Sequence, residues 1–248
     1  MEKLNNDTII KNISFDQSEI LYNIMNLYNN GNPFDCDITA SQLKFYKKNK
    51  KQKYDIPIPK ILMDVYPQSE DIIKIEKWGK LPLEDESINS IVIDLPFVVS
   101  PANAPSATTK IQENSCLIFK RFSGYYPVDN LYYSYYHWLL ESFRVLKNDG
   151  ICVFKCQSCI SGGIRHNVEE FSFMAAQRIG YKMIDKFTLE AKARLISCNA
   201  QKHSRSYTSQ FLIFKKDGKF GTKDFIFEKL LDECEIKEKN KYIDIIEK

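Results

Sequence analysis

Two hydrophobic periods run along this chain. At helical spacing, Ile20, Leu21, Ile24 and Leu27 recur within residues 14–30, where Ser14 or Asp16 can cap the start and Gly31 stops the pattern. Residues 129–146 carry a second amphipathic pattern, with Leu131, Trp138, Leu139, Phe143 and Leu146 on one broad face. Residues 168–179 carry a third, closed by Gly180 where a left-handed C-terminal cap is expected. Around these helices lie apolar runs of strand length at 33–37, 58–65, 71–76, 91–94, 151–155, 181–189 and 210–214. Residues 41–51 read as a short helix or a basic loop, and 100–109 as an irregular loop. Strands alternating with helices predict an α/β fold. Its sheet is mostly parallel with helices on both faces and an antiparallel strand near the C-terminus.

The run Ile91-Val92-Ile93-Asp94-Leu95-Pro96-Phe97 is the most informative of these strands, because apolar β-branched residues end abruptly in an acid, a proline and an aromatic. Such an order suits a buried parallel strand whose carboxyl end delivers polar groups to a crevice, where open α/β sheets bind ligands. An ordinary core strand ending at a proline turn has the same pattern. Asp94-Leu95-Pro96-Phe97 also resembles the acid-P-P-aromatic motif of amino-group methyltransferases that use S-adenosylmethionine. In that family the motif serves an exocyclic base amine, a poor nucleophile whose developing positive charge is offset by hydrogen-bond acceptors. The resemblance makes Asp94 and the Leu95 carbonyl the acceptors, Pro96 the stiffener of the turn and Phe97 the ring that stacks on the base. Leu95 departs from the usual proline, keeping the carbonyl while losing the fixed φ. Some RNA guanine methyltransferases share that departure.

The likeness extends over roughly residues 33–216. Leu81-Pro82-Leu83-Glu84-Asp85-Glu86-Ser87-Ile88 resembles the segment before the fourth strand of many such enzymes, and Leu146-Lys147-Asn148-Asp149-Gly150 resembles their L-K-P-G-G turn. Phe154-Lys155-Cys156-Gln157, Ser161-Gly162-Gly163, Gln201-Lys202-His203 and Arg205 resemble phage and prophage DNA methyltransferases, as does Pro33-Phe34-Asp35-Cys36-Asp37-Ile38-Thr39. The resemblance implies a Rossmann-like class I methyltransferase domain at 33–216, preceded by a helical extension at 1–32 and followed by a charged tail at 217–248. S-adenosylmethionine is the implied cofactor, with Asp35, Asp37, Thr39, Ser41, Asp64, Trp78 and Leu81 the candidate contacts. Asp64 would accept from ribose hydroxyls, and Trp78 or Leu81 would lie near the adenine. No glycine stands between Gly31 and Gly79, whereas relatives tend to place one near Ser41-Gln42-Leu43, so the cofactor loop is glycine-free or binding has weakened.

Composition changes this picture little. The net charge of +3 does not by itself demand a nucleic-acid partner, and the lysines around residues 44–53 suit a solvated face as well as a phosphate contact. Arg165, Lys202, His203 and Arg205 follow predicted strand ends, Arg121 lies in the insert at 100–130, and Gln157 is placed to read a base edge; these are the expected nucleic-acid contacts. Seven scattered cysteines and a polar N-terminal stretch suit a cytoplasmic protein. Cys156, Cys159, Cys198 and His203 have spacings seen in some zinc sites, but a buried strand cysteine behaves as a small hydrophobe and no metal is expected. DNA is the expected partner and no membrane is. The competing readings are a methyltransferase acting on RNA and an inactive fold retained as a nucleic-acid-binding module.

Overall fold

Side-chain alternation along the central strands sorts the core into two layers, one on each face of the sheet. The computed structural model describes residues 9–47, 52–97, 128–161, 163–191, 203–204 and 206–217. Its main sheet contains β1 (Ile13–Ser14), β2 (Cys36–Asp37), β3 (Ile61–Asp64), β4 (Ile73–Lys74), β5 (Ile88–Asp94), β6 (Leu146–Cys156), β9 (Tyr181–Glu190) and β10 (Thr208–Lys216). A hairpin of β7 (Cys159–Ser161) and β8 (Ile164–His166) stands apart from it. The α-helices among the described residues are α1 (Gln17–Tyr28), α2 (Asp129–Val145) and α3 (Val168–Ile179).

The strand order is β1-β9-β10-β6-β5-β2-β3-β4. Strands β4, β3, β2, β5 and β6 run parallel, while β10 is antiparallel to both β6 and β9. The chain winds outward in one direction from β2 through β3 and β4, then in the other from β5. That reversal puts the topological switch point between β2 and β5, and the crevice for a ligand at their carboxyl ends. The expected mostly parallel sheet with one antiparallel strand near the C-terminus is therefore present.

Ile91, Ile93 and Leu95 alternate with Val92 and Asp94. The first set joins Cys152, Phe154, Leu212 and Phe214 under α2 and α3. Val92 joins Ile151, Val153, Phe211 and Ile213 under α1, with Phe45, Tyr46 and Ile56 completing that layer. Each such fully buried aliphatic or aromatic side chain contributes about 1.5–3 kcal/mol. Asp16 caps α1 through its side chain, and Gly180 closes α3 in the left-handed conformation, as the pattern predicts.

Three elements differ from the sequence reading. Strand β6 begins at Leu146 rather than Ile151, because residues 147–150 stay in the strand through a register shift opposite Ile88 and Ser90. Gly150 permits that irregularity: a Cβ there would lie 2.8 Å from the Lys147 carbonyl and 3.0 Å from the Asn89 carbonyl. Strand β1 and the β7–β8 hairpin are too short to show a period. Strand β1 pairs with the edge of β9, so residues 13–28 pack as part of the same body.

The segment before β5 is held by α2. Arg144 donates to the Leu81 and Leu83 carbonyls at 3.0 and 2.9 Å, pairs with Asp85 at 2.6 Å and with Glu141 at 2.8 Å, and Glu141 accepts from the Leu81 amide at 2.9 Å. Lys216, buried at the end of β10, donates to the carbonyls of Phe143 and Leu146 at 2.9 and 2.8 Å, which draws β10 onto the C-terminal end of α2. Among the described residues no helix is long and apolar enough to cross a membrane, and no cluster of three or more metal-ligating side chains occurs.

Candidate active site at the sheet switch point

The carboxyl ends of β2, β5 and β6 lie side by side, and alternation turns Asp37, Asp94 and Lys155 toward the α1 face while Ile38, Leu95 and Cys156 enter the opposite layer. These polar groups form one continuous row. The Tyr46 hydroxyl donates to Asp37 Oδ2 at 2.7 Å. Asp37 Oδ1 accepts from the Thr39 amide at 2.7 Å and from its hydroxyl at 3.0 Å. Thr39 Oγ1 in turn accepts from the Asp94 amide at 2.8 Å, and Asp94 Oδ2 accepts from Lys155 Nζ at 3.2 Å. On the other face, the buried Tyr135 hydroxyl donates to the Pro96 carbonyl at 3.1 Å, fixing the turn beyond Asp94.

Burial pushes the Asp37 carboxyl up to about 7; its bonds from Tyr46 and Thr39 oppose that rise, and the nearby Asp94 charge adds to it. The Tyr46 phenol is pushed up by burial and then by Asp37. Asp37 is only 2% exposed, so it supports the site from beneath.

The loop after β2 takes glycine-like turns without glycine. Ser41 and Leu43 have φ of 52° and 59°, a conformation that costs an L-residue about 1–2 kcal/mol. Backbone bonds hold it there: the Ala40 amide donates to the Met63 carbonyl at 3.0 Å, the Leu43 amide to the Ala40 carbonyl at 2.7 Å, and the Tyr46 amide to the Leu43 carbonyl at 3.0 Å. Asp64, at the carboxyl end of β3, accepts from the Ser41 amide at 2.8 Å and the Tyr66 amide at 2.7 Å. A cleft of about 930 Å³ opens beside this loop, bordered by Asp16, Ser41, Lys44, Gln68, Ile72 and Glu190. Asp94 is outside its lining, so the cleft adjoins the loop and not the strand-end acid.

The structure thus gathers Asp37, Thr39, Ser41, Asp64 and Asp94 from the sequence candidates. Leu95 is buried in the α2 layer, and Pro96 and Phe97 follow half-buried. Asp35 is separated from the group: it precedes β2 at the amino end of the sheet, where Oδ2 accepts from the Asn89 amide at 2.7 Å. Trp78 docks on α2, its Nε1–H donating to Ser134 Oγ at 2.6 Å, and Leu81 is a core residue under the Arg144 clasp. Gln157 follows the carboxyl end of β6, half-buried. Arg165 is exposed on β8, its Nε donating to Asn167 Oδ1 at 2.8 Å, and the exposed His203 lies near the β7–β8 turn, 3.9 Å from where a Gly163 Cβ would be. Arg121, Lys202, Arg205 and Cys198 lie outside the described residues. Lys155 and Tyr46 are the polar groups that sequence reasoning left without a role. The signal for Lys155 was its position in Val153-Phe154-Lys155-Cys156, a polar residue on the inward phase of a buried strand.

No family model matches the sequence, and no curated protein matches it. Solved structures do. A candidate DNA modification methylase from Thermus thermophilus, complexed with S-adenosyl-L-methionine, is 15% identical over 63% of this chain and 58% of its own, with a TM-score of 0.32. This chain therefore spans less than two thirds of that methylase. A TehB-like SAM-dependent methyltransferase from Corynebacterium glutamicum is 13% identical over 82% of this chain and 89% of its own, with a TM-score of 0.39. A candidate type 11 methyltransferase from Sulfolobus solfataricus is 12% identical over 85% of this chain and 98% of its own, again at 0.39. At these identities and TM-scores, no residue role passes from those proteins to this chain. The sheet itself, with its switch point between β2 and β5 and its antiparallel β10, is Rossmann-like.

Proposed function

We propose that this chain is an S-adenosylmethionine-dependent methyltransferase that modifies an exocyclic base amine in DNA, with adenine as the favoured base and cytosine as the alternative. The observation that carries the reading is the row Tyr46–Asp37–Thr39–Asp94–Lys155 across the switch-point crevice, which holds a strand-end acid by both its amide and its carboxylate.

The residues present fit the cofactor. Asp64, at the carboxyl end of β3 beside the loop, accepts from the Ser41 and Tyr66 amides, and its carboxylate is of the type that accepts from ribose hydroxyls. The left-handed turns at Ser41 and Leu43 give the loop the backbone course for which relatives use glycine. Thr39 and Ser41 belong to this loop, whereas Asp37 acts through Thr39 and Tyr46, and Asp35 supports the far end of the sheet. When bound, the cofactor supplies an electrophilic methyl on a sulfonium: the N–C bond forms as the C–S bond breaks, and the electron pair stays on sulfur.

The protein's part is to bind and orient the amine. Asp94 Oδ1 and the Leu95 carbonyl accept its two hydrogens, drawing the lone pair out of conjugation and offsetting the charge that grows on nitrogen. Phe97 stacks on the extruded base. The product ammonium loses a proton to Asp94 or to water. Gln157 follows β6, Arg165 lies on β8 and His203 precedes β10, and in this reading they form the nucleic-acid contact with Lys202, Arg205 and Arg121. In this reading the methyltransferase domain takes in β1 and α1 together with residues 33–216, and 217–248 is its charged tail.

Calorimetric titration with S-adenosylmethionine, followed by transfer of labelled methyl to DNA and to RNA, tests the proposal. Saturable binding with label in DNA supports it. Label in RNA alone, the outcome that the non-proline Leu95 would favour, replaces the substrate, and absence of cofactor binding leaves an inactive fold.

A further inference from the structure

Lys155 enters the reading so far only as the end of the polar row, yet it is placed as firmly as Asp94. The two residues are Cα partners across the β5–β6 pair, so the backbone register alone brings them together. The Lys155 side chain is 12% exposed and its Nζ meets Asp94 Oδ2 at 3.2 Å. Aromatic rings confine the same ammonium: it lies 5.0 Å from the centroid of Phe45 and 5.5 Å from that of Phe211. Phe45 comes from the loop after β2 and Phe211 from β10, so three separate parts of the fold converge on one cation. A lysine desolvated to this degree is costly unless it is paired, and ring faces with a single carboxylate satisfy it. A core-filling role would be served better by an apolar residue at the same position.

We infer that Lys155 is a positioning residue for methyl transfer, holding the Asp94 carboxylate by Oδ2 so that Oδ1 is presented to the amine. The inference rests on the proposed methyltransferase reading. The Asp94 amide bond to Thr39 fixes the backbone at that position but leaves χ1 and χ2 of the side chain to be set by something else. Lys155 sets them. Among the described residues, the buried Asp37 carboxyl behind Thr39 and the Tyr46 phenol beyond it also feel the Asp94 charge, and neither offers a cation. With the lysine gone, the carboxylate turns toward water, and the amine loses its oriented acceptor. A misplacement of about 1 Å at such a site costs about a hundredfold in rate.

The test compares Lys155→Met, which keeps length and apolar packing while removing the charge, with Lys155→Arg, which keeps the charge. For Lys155→Met, kcat should fall about a hundredfold, with KM for DNA and calorimetric affinity for S-adenosylmethionine within about twofold of wild type. Lys155→Arg should recover a large part of kcat. A merely structural lysine would instead lower the melting temperature and leave kcat per folded molecule unchanged, and that result overturns the inference. Crystal structures of wild type and Lys155→Met provide a readout that does not need turnover: the Asp94 carboxylate should leave its position in the variant. An unmoved carboxylate overturns the inference even if the wild type proves inactive, while an inactive wild type with a displaced carboxylate in the variant removes the methyltransferase reading and leaves the pairing intact.

Discussion

Asp37 and Asp94 are two acids that meet through one threonine, and their surroundings give them different tasks. Asp94 is partly open at the crevice and paired with a cation, whereas Asp37 is sealed under Thr39 and Tyr46 with its carboxyl pushed up to about 7 by burial. The sign of the resulting pH dependence follows from linkage. In the unfolded chain an aspartate releases its proton at about 3.9, so between about pH 4 and 7 the folded protein holds a proton that the unfolded chain has lost. Stability from this group is full below that window and declines as pH rises through it. Asp37→Asn should flatten the decline, which chemical denaturation at several pH values between about 4 and 8 would measure; an unchanged slope would mean that Asp37 does not titrate in this range. At this scale Asp94 was legible because it ends an apolar run, and Asp37 and Thr39 because they close the short acid-rich segment 33–39. Lys155 was not, since its partner Asp94 lies on another strand and only the sheet register brings them together, nor was Tyr46, which reaches Asp37 through the turns of the loop after β2.

Among the elements, the loop after β2 departs most from expectation. Without glycine it read as weakened or as a different kind of loop, yet Ser41 and Leu43 adopt the left-handed turns that glycine would supply at less cost. Backbone and side-chain bonds along residues 39–46 over-determine the conformation. Ser41→Gly should therefore keep the Asp64 bond and stabilise the protein by up to about 1 kcal/mol, the relief of strain being partly offset by the entropy of glycine. A urea titration checks this, and a loss of stability would mean that the serine side chain supports the loop in its own right. The longer elements were readable from their periods: all three helices appear within a few residues of the expected bounds. Strand β1 and the β7–β8 hairpin were not, because two or three residues cannot display an alternation. The segment at 81–88 was noticed as a motif, but its physical work is structural, since Arg144 and Glu141 of α2 bind it along its length.

For the molecule as a whole, a charge of +3 predicts only weak general attraction to phosphate, so binding must depend on where the cations sit. Exposed Arg165 lies on β8, in the hairpin that follows the carboxyl end of β6, and the sequence puts Lys202 and Arg205 just before β10. Replacing Arg165, Lys202 and Arg205 by alanine should weaken DNA binding and reduce its salt slope, by about one counterion for each phosphate no longer neutralised. Replacing lysines of the 44–53 run should change the slope less. Equal slopes for wild type and the triple variant would remove the crevice rim as the phosphate-binding surface.

A mostly parallel sheet was foreseeable from the strands and helices of the sequence, and its strand order puts Asp94 at a switch point, where the fold itself calls for a ligand. The most direct measurement is a paired one on Asp94→Ala: calorimetric affinity for S-adenosylmethionine beside turnover of labelled methyl into DNA. Orientation of the amine by Asp94 requires cofactor affinity within about threefold of wild type and turnover reduced by several orders of magnitude, because the acid does not support the core. Near-wild-type turnover in Asp94→Ala would contradict it.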